Sequence, residues 1–186
     1  MPGVSVTSCA AEFVGTFVLV LTVGCNVLSS NPLWGGLSIA SALMVMVYAL
    51  GGVSGANFNP AVSIALGLAG KLDDGWKQVG IYAAVQVLAG CCAAICYSLI
   101  FGSTFNLGPT AGFLWWQAMV CELIYTFTLC FVVLNTAASK QLRGNQFFGL
   151  AIGFVIVAGA YGAGGVSGGC FNPAVAIAVD AVSLAQ

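Results

Sequence analysis

Two tripeptides carry the most chemistry in this sequence: Asn59-Pro60-Ala61 and Asn172-Pro173-Ala174. Asn is a good helix N-cap because its side-chain oxygen accepts from free backbone N–H groups of the first turn. Pro suits the first helical position, where its missing N–H is not needed. Both tripeptides therefore read as helix starts. A capping Asn still holds an amide N–H₂ group for other partners, and a helix start carries partial positive charge. Two such starts facing each other would donate hydrogen bonds to a neutral solute and repel a cation. Other chemistry is poorly provided for. The chain has no His, which removes the commonest general base and a frequent metal ligand. Its eight Cys (Cys9, Cys25, Cys91, Cys92, Cys96, Cys121, Cys130 and Cys170) fall mostly inside apolar runs with no C-x-x-C pair. They read as small packing residues rather than a zinc or redox framework. The carboxylates are scattered, with no nucleophile beside a base, so an enzyme is not expected. No cofactor or metal is implied.

The elements that must position the two Asn lie in lipid. Of 186 residues, four are Lys or Arg and five are Asp or Glu; charged types make up 5% and hydrophobic types 60%. A soluble domain carries about 25% charged residues, so this chain cannot cover a core with a polar shell. A net charge of -1 offers no phosphate-neutralising patch, which argues against nucleic-acid partners. The N-terminal MPGVSVTS has no basic residue before the first apolar run and does not read as a signal peptide. Runs long enough to cross a bilayer fall at about Cys9–Leu28, Leu33–Leu50, Trp76–Phe101, Phe113–Leu134 and Gln146–Tyr161. All four basic residues sit in two short segments, 71–77 and 139–145. Two spans separate these segments, so both face the same side, and the positive-inside rule makes that side cytoplasmic. Trp34, Trp76, Trp115 and Trp116 fall near span ends, where interfacial anchors belong.

Pro60–Gly70 and Pro173–Leu184 are apolar and helix-compatible but too short to span. Each reaches roughly 16–18 Å, about half the hydrocarbon thickness. Each follows a glycine-rich run, 51–56 and 162–169, read as non-helical backbone that exposes a ladder of carbonyls. Re-entrant half-helices are the economical reading. The chain also repeats itself. Ala11-Glu12-Phe13-Val14-Gly15-Thr16-Phe17 is answered by Cys121-Glu122-Leu123-Ile124-Tyr125-Thr126-Phe127. The segment from Gly52 to Val62 is answered by that from Gly165 to Val175. Three spans separate equivalent points, so the second copy is inserted upside down, an architecture known from transport proteins. The expected fold is an all-α membrane protein in one domain, 1–186, with a first repeat at about 9–101 and an incomplete second one at about 113–186. The two half-helices would meet near the midplane. A passing water would accept from both Asn and donate to carbonyls above and below, an orientation that breaks a proton wire.

A single Asn-Pro-Ala reads as a plain turn; two, in matched Ser-Gly contexts, do not. On these motifs, together with Ala11-Glu12-Phe13, Gly15-Thr16, Glu122 and Thr126-Phe127, the sequence resembles the aquaporin, or major intrinsic protein, family over almost its whole length. The resemblance implies six spans, two half-helices and a homotetramer with one pore per subunit, conducting water and small neutral solutes through the bilayer. It also implies Glu12 and Glu122 as buried anchors of the re-entrant loops. Its narrowest selectivity site would map to Ile39, Ala160, Gly169 and Val175. The family pattern has Arg where this chain has Val175, so the expected constriction is wider and less polar, open to glycerol, urea, ammonia or peroxide. Cys170 is a candidate pore thiol, with a buried packing role as the alternative. A sixth span is expected after the second half-helix but the sequence stops at Gln186. That is read either as truncation or as a reduced protein completed by neighbouring subunits. The competing reading is a structural subunit of a larger membrane assembly with little or no transport.

Overall fold

Long apolar stretches with no internal Pro become helices because lipid offers backbone groups no other partner. In the computed structural model, which describes residues 2–184, five helices are long and apolar enough to cross a membrane. They are α1 (Val6–Leu28), α2 (Gly35–Ser54), α4 (Gly75–Phe101), α5 (Trp115–Val132) and α6 (Phe148–Ser167). Two short helices, α3 (Pro60–Leu68) and α7 (Pro173–Ser183), complete the set. A π-helical turn, Val133–Ala137, prolongs α5. The outer bounds expected for the domain, 1 and 186, lie outside the described residues.

Helix starts follow local chemistry. At α1, Ser5 Oγ accepts from the Ser8 N–H while Ser8 Oγ accepts from the Ser5 N–H, a reciprocal capping box. Asn59 and Asn172 cap α3 and α7, each accepting from the N–H of the Ala two residues on, at 2.8 and 2.9 Å, with Pro at the first turn. Helix α2 ends at Gly55 (φ 91°) and α6 at Gly168 (φ 88°), both left-handed as a C-terminal glycine allows.

The glycine-rich runs correct one expectation. Residues 51–54 and 162–167 are helical, so α2 and α6 run further than read from sequence, and the irregular backbone shrinks to 55–59 and 168–172. Glycine in a helix costs about 1 kcal/mol relative to Ala. An unpaired peptide group within a bilayer costs several times that, so helix continues as far as it can.

Helix α1 packs on α2 and α4, α2 on α6, α6 on α5, and α4 on α7. The α2–α6 seam is closed twice by the same device. Tyr48 on α2 donates to the Gln146 carbonyl and accepts from the Leu150 N–H at the start of α6. Tyr161 on α6 donates to the Leu33 carbonyl and accepts from the Leu37 N–H at the start of α2. The half-helices insert between these spans, and their approach depends on glycine. A Cβ on Gly15 of α1 would lie 2.1 Å from the ring of Phe58, which is fully buried before α3. Gly52, on α2, has open space. We expect opposite signs from the same substitution. Gly15→Ala should lower stability by about 2 kcal/mol through overpacking, whereas Gly52→Ala should leave it unchanged or raise it by up to about 1 kcal/mol. Melting temperatures of the detergent-solubilised variants check this; equal shifts would contradict the close contact of α1 with the first re-entrant loop.

Candidate functional site

Each re-entrant loop hangs on a carboxylate. Glu12, fully buried on α1, accepts at Oε1 from Ser54 Oγ (2.6 Å) and the Asn57 N–H (2.9 Å). At Oε2 it accepts from the Phe58 N–H and from Gln86 Nε2, both at 2.8 Å. Glu122 on α5 repeats the pattern, with Ser167 Oγ (2.6 Å) and the Cys170 N–H (3.0 Å) on Oε1 and the Phe171 N–H (2.7 Å) on Oε2. Ser54 and Ser167 also accept, from the Ala56 and Gly169 N–H groups. These bonds hold three non-glycine residues in the left-handed region: Ala56 and Phe58 at φ 51° and Phe171 at φ 50°. Such a conformation in a bulky residue is strained by about 1–3 kcal/mol and persists only where its surroundings impose it.

The strain has a visible consequence. It turns the Phe58 and Phe171 carbonyls across the junction between the two halves. Asn59 Nδ2 donates to the Phe171 carbonyl at 2.8 Å, and Asn172 Nδ2 donates to the Phe58 carbonyl at 2.9 Å. Each Asn therefore caps its own half-helix through Oδ1 and bonds the opposite loop through Nδ2. One hydrogen of each amide is used in this way, and an amide carries two.

The two Asn border a cavity of about 490 Å³. Ile39, Ala160, Gly169 and Val175 line the same cavity, so the positions named from the sequence as a constriction do come together around one space. None of the four bears a charge. Cys170 also lines it, and its thiol donates to the Asn172 carbonyl at 3.0 Å. Leu107, from the loop between α4 and α5, is a further wall residue that the sequence reading did not name. Nothing local marks it, since a lone Leu in a Gly- and Pro-punctuated loop has no periodicity to read. A second cavity, about 640 Å³, shares the walls Val47, Ala56, Val133 and Ile152 with the first. Its rim includes Lys71, Lys140 and Arg143, so both basic segments stand at the same end of the molecule. The first cavity is lined from Asn31 and Pro32 of the α1–α2 turn to the Asn pair, and the second lies towards the basic loops.

Gln86 was also missed, although an amide in the middle of an apolar span is a signal. It bridges Glu12 and Ser63 Oγ, at 2.8 and 3.2 Å, and so ties α4 to both α1 and α3. Among the described residues, no group of three or more His, Cys, Asp or Glu could hold a metal ion.

Two half-helices meeting head to head beside an arc of spans, α4–α1–α2–α6–α5, and lining a common cavity, define an inverted-repeat integral membrane protein of the multi-pass kind. The chain belongs to the Major intrinsic protein family, whose model matches residues 4–185. It is similar to Aquaporin NIP1-1 of Oryza sativa subsp. japonica, 38% identical over 179 residues, covering 88% of this chain and 60% of that one. Its identity to Probable aquaporin NIP4-2 of Arabidopsis thaliana is 33% over 178 residues, again 88% of this chain and 60% of the relative. The chain thus spans about 60% of the length of these curated relatives. Its fold matches the X-ray structure of the aquaglyceroporin from Plasmodium falciparum with a TM-score of 0.83 at 22% identity, covering 97% of this chain and 81% of that one.

Proposed function

We propose that the protein is a passive channel for water and small neutral solutes. The observation that carries this reading is the reciprocal Asn–carbonyl junction at the cavity wall. The second N–H of Asn59 and of Asn172 is a donor for a passing oxygen. Two positive helix ends stand at the same height and disfavour cations. A water that accepts from both Asn must point its own hydrogens away, up and down the path, so neighbouring waters cannot relay a proton through that point. The carbonyls available to such waters are those of the short irregular segments 55–59 and 168–172 rather than of the whole glycine-rich runs.

Ile39, Ala160, Gly169 and Val175 act as the constriction in this reading. With no fixed positive charge and few donors, it discriminates by size more than by hydrogen bonding, and glycerol and similar solutes pass with water. Proteoliposomes in a stopped-flow instrument test both statements. Fast shrinkage in a sucrose gradient supports a water path, and re-swelling in a glycerol gradient supports the wide constriction. Val175→Arg places a guanidinium with its five donors in the wall. Glycerol flux should fall by about tenfold, equivalent to about 1.4 kcal/mol at the barrier, with water flux reduced far less. Unchanged glycerol flux would remove Val175 from the constriction.

The segments 71–77 and 139–145 are assigned to the cytoplasmic side on their basic residues. The homotetramer is part of the same proposal. A second reading is a structural subunit in a larger membrane assembly, in which a partner rather than lipid covers the outer face of α5, where Leu123, Phe127 and Phe131 are 67, 66 and 55% exposed. Well-folded protein without flux above that of empty vesicles would favour it.

A further inference from the structure

The loop between α4 and α5 lies against the cavity wall, and its attachment points are on α6 and α7. It leaves α4 at Gly102, in the left-handed region at φ 62°, and contributes Leu107 to the wall that includes Gly169 and Val175. The Leu107 side chain lies against Gly168, where an added Cβ would meet its Cδ2 at 3.1 Å. The Leu107 N–H donates to Asp180 Oδ1 at 3.2 Å, and Ser183 Oγ–H donates to Asn106 Oδ1. On the far side of Leu107, the Thr110 N–H donates to the Val166 carbonyl at 3.0 Å, and its hydroxyl to the Gly165 carbonyl. Before it, Phe105 packs its ring on Tyr97 of α4, with centroids 5.6 Å apart. Leu107 is therefore gripped on both sides, and the bond to its own backbone comes from Asp180.

Asp180 has no other evident task. The four basic residues lie within 71–77 and 140–143, at the opposite end of the path, so its carboxylate is not there to pair with them. It is partly buried on the last turns of the same half-helix that begins at Asn172. A carboxylate is a strong, two-oxygen acceptor for a loop N–H that would otherwise lose water at the membrane face. We propose that Asp180 sets the solute-size limit of the mouth by holding Leu107 in the pore wall. Leu107 contacts the solute, and Asp180 is a positioning residue. The four constriction positions are apolar, and two of them are Ala and Gly, so the isobutyl group of Leu107, which packs on the same cluster as Val175, adds a main bulk to the wall. This rests on the channel reading above.

The experiment compares wild type, Leu107→Ala, Asp180→Ala and Asp180→Asn in proteoliposomes. It reads the ratio of erythritol to glycerol permeability, with water permeability as reference. Asn keeps an oxygen acceptor at the same reach, so only its charge differs. Leu107→Ala and Asp180→Ala should each raise the ratio by about threefold, with Asp180→Asn close to wild type. Hydrogen–deuterium exchange over residues 104–110 should rise in Asp180→Ala and not in Asp180→Asn. A merely structural Asp180 would lower the melting temperature and leave the permeability ratio of the folded fraction unmoved. That result overturns the proposal, as does a ratio change in Leu107→Ala alone. Absence of water flux from wild type would sink the channel reading instead. The exchange data would then still judge the grip on the loop, and unchanged protection in Asp180→Ala would end it.

Discussion

Glu12→Ala should leave little or no folded protein in detergent, and Glu122→Ala should be the milder of the two. Glu12 is fully buried and takes four donors: the Ser54 hydroxyl, the Asn57 and Phe58 N–H groups and the Gln86 amide. Removing the carboxylate strands all four away from water. Each buried donor left unmade costs about 1–3 kcal/mol, so the total rivals the whole stability of a typical domain, about 5–15 kcal/mol. It also frees Phe58 from the left-handed conformation that aims its carbonyl at Asn172. Glu122 has Ser167, Cys170 and Phe171 as donors among the described residues and is only partly buried, so fewer groups are stranded. Glu12→Gln should fall between wild type and Glu12→Ala, because one acceptor oxygen becomes a donor facing other donors. Monodisperse yield on size exclusion and the melting temperature of whatever elutes are the readouts. A Glu12→Ala protein that melts with wild type would mean that the first re-entrant loop is held by packing alone.

What could be read from the sequence follows from where its information is local. Asn59-Pro60 and Asn172-Pro173 announce helix starts because cap and first-turn preferences act over two or three residues, and both half-helices begin there. The spans were legible because lipid demands long apolar runs, although their ends moved. The glycine-rich stretches mislead a reading trained on water, where Gly marks a break. Within a bilayer the backbone has nowhere else to bond, and α2 and α6 run on to Ser54 and Ser167. The repeat carried more than was taken from it. Tyr48 and Tyr161 stand at the same spacing as Asn59 and Asn172, and the structure uses them as reciprocal clamps between α2 and α6. Gln86 could have been suspected as a polar group within a span. The bond from Leu107 to Asp180 could not, since it joins a loop to a half-helix 73 residues later without any pattern in either segment. The positions 39, 160, 169 and 175 lie far apart in sequence and were named only through a family resemblance. Their common cavity is a property of the folded chain.

The double variant Asn59→Ala/Asn172→Ala should lose most of its water flux while still folding. Each Asn performs two tasks at once: its Oδ1 caps a half-helix, and its Nδ2 bonds the opposite loop. Loss of a cap costs about 1 kcal/mol, and loss of one hydrogen bond across the junction costs about as much again. The pair together should therefore destabilise by about 4 kcal/mol, which is large but below what loss of Glu12 would remove. Pro60 and Pro173 keep the first turns in helical geometry, and Glu12 and Glu122 keep the loops, so the halves stay close. On the proposed channel reading, what disappears is the pair of donors that would face the path. Water loses its favourable stop at the narrow junction, and flux should fall by about tenfold or more, the effect of about 1.4 kcal/mol or more on the barrier. Water that does pass is no longer turned by the two amides, so the ratio of proton to water permeability should rise. Stopped-flow light scattering gives the first quantity and a pH-sensitive dye trapped in the same vesicles gives the second. The two together distinguish a mechanism from mere damage. Collapse of the pore lowers both permeabilities in step, whereas loss of the orienting donors separates them. A folded double variant with wild-type water flux and no proton leak would place selectivity elsewhere along the path, and the apolar ring of Ile39, Ala160, Gly169 and Val175 would then have to act alone.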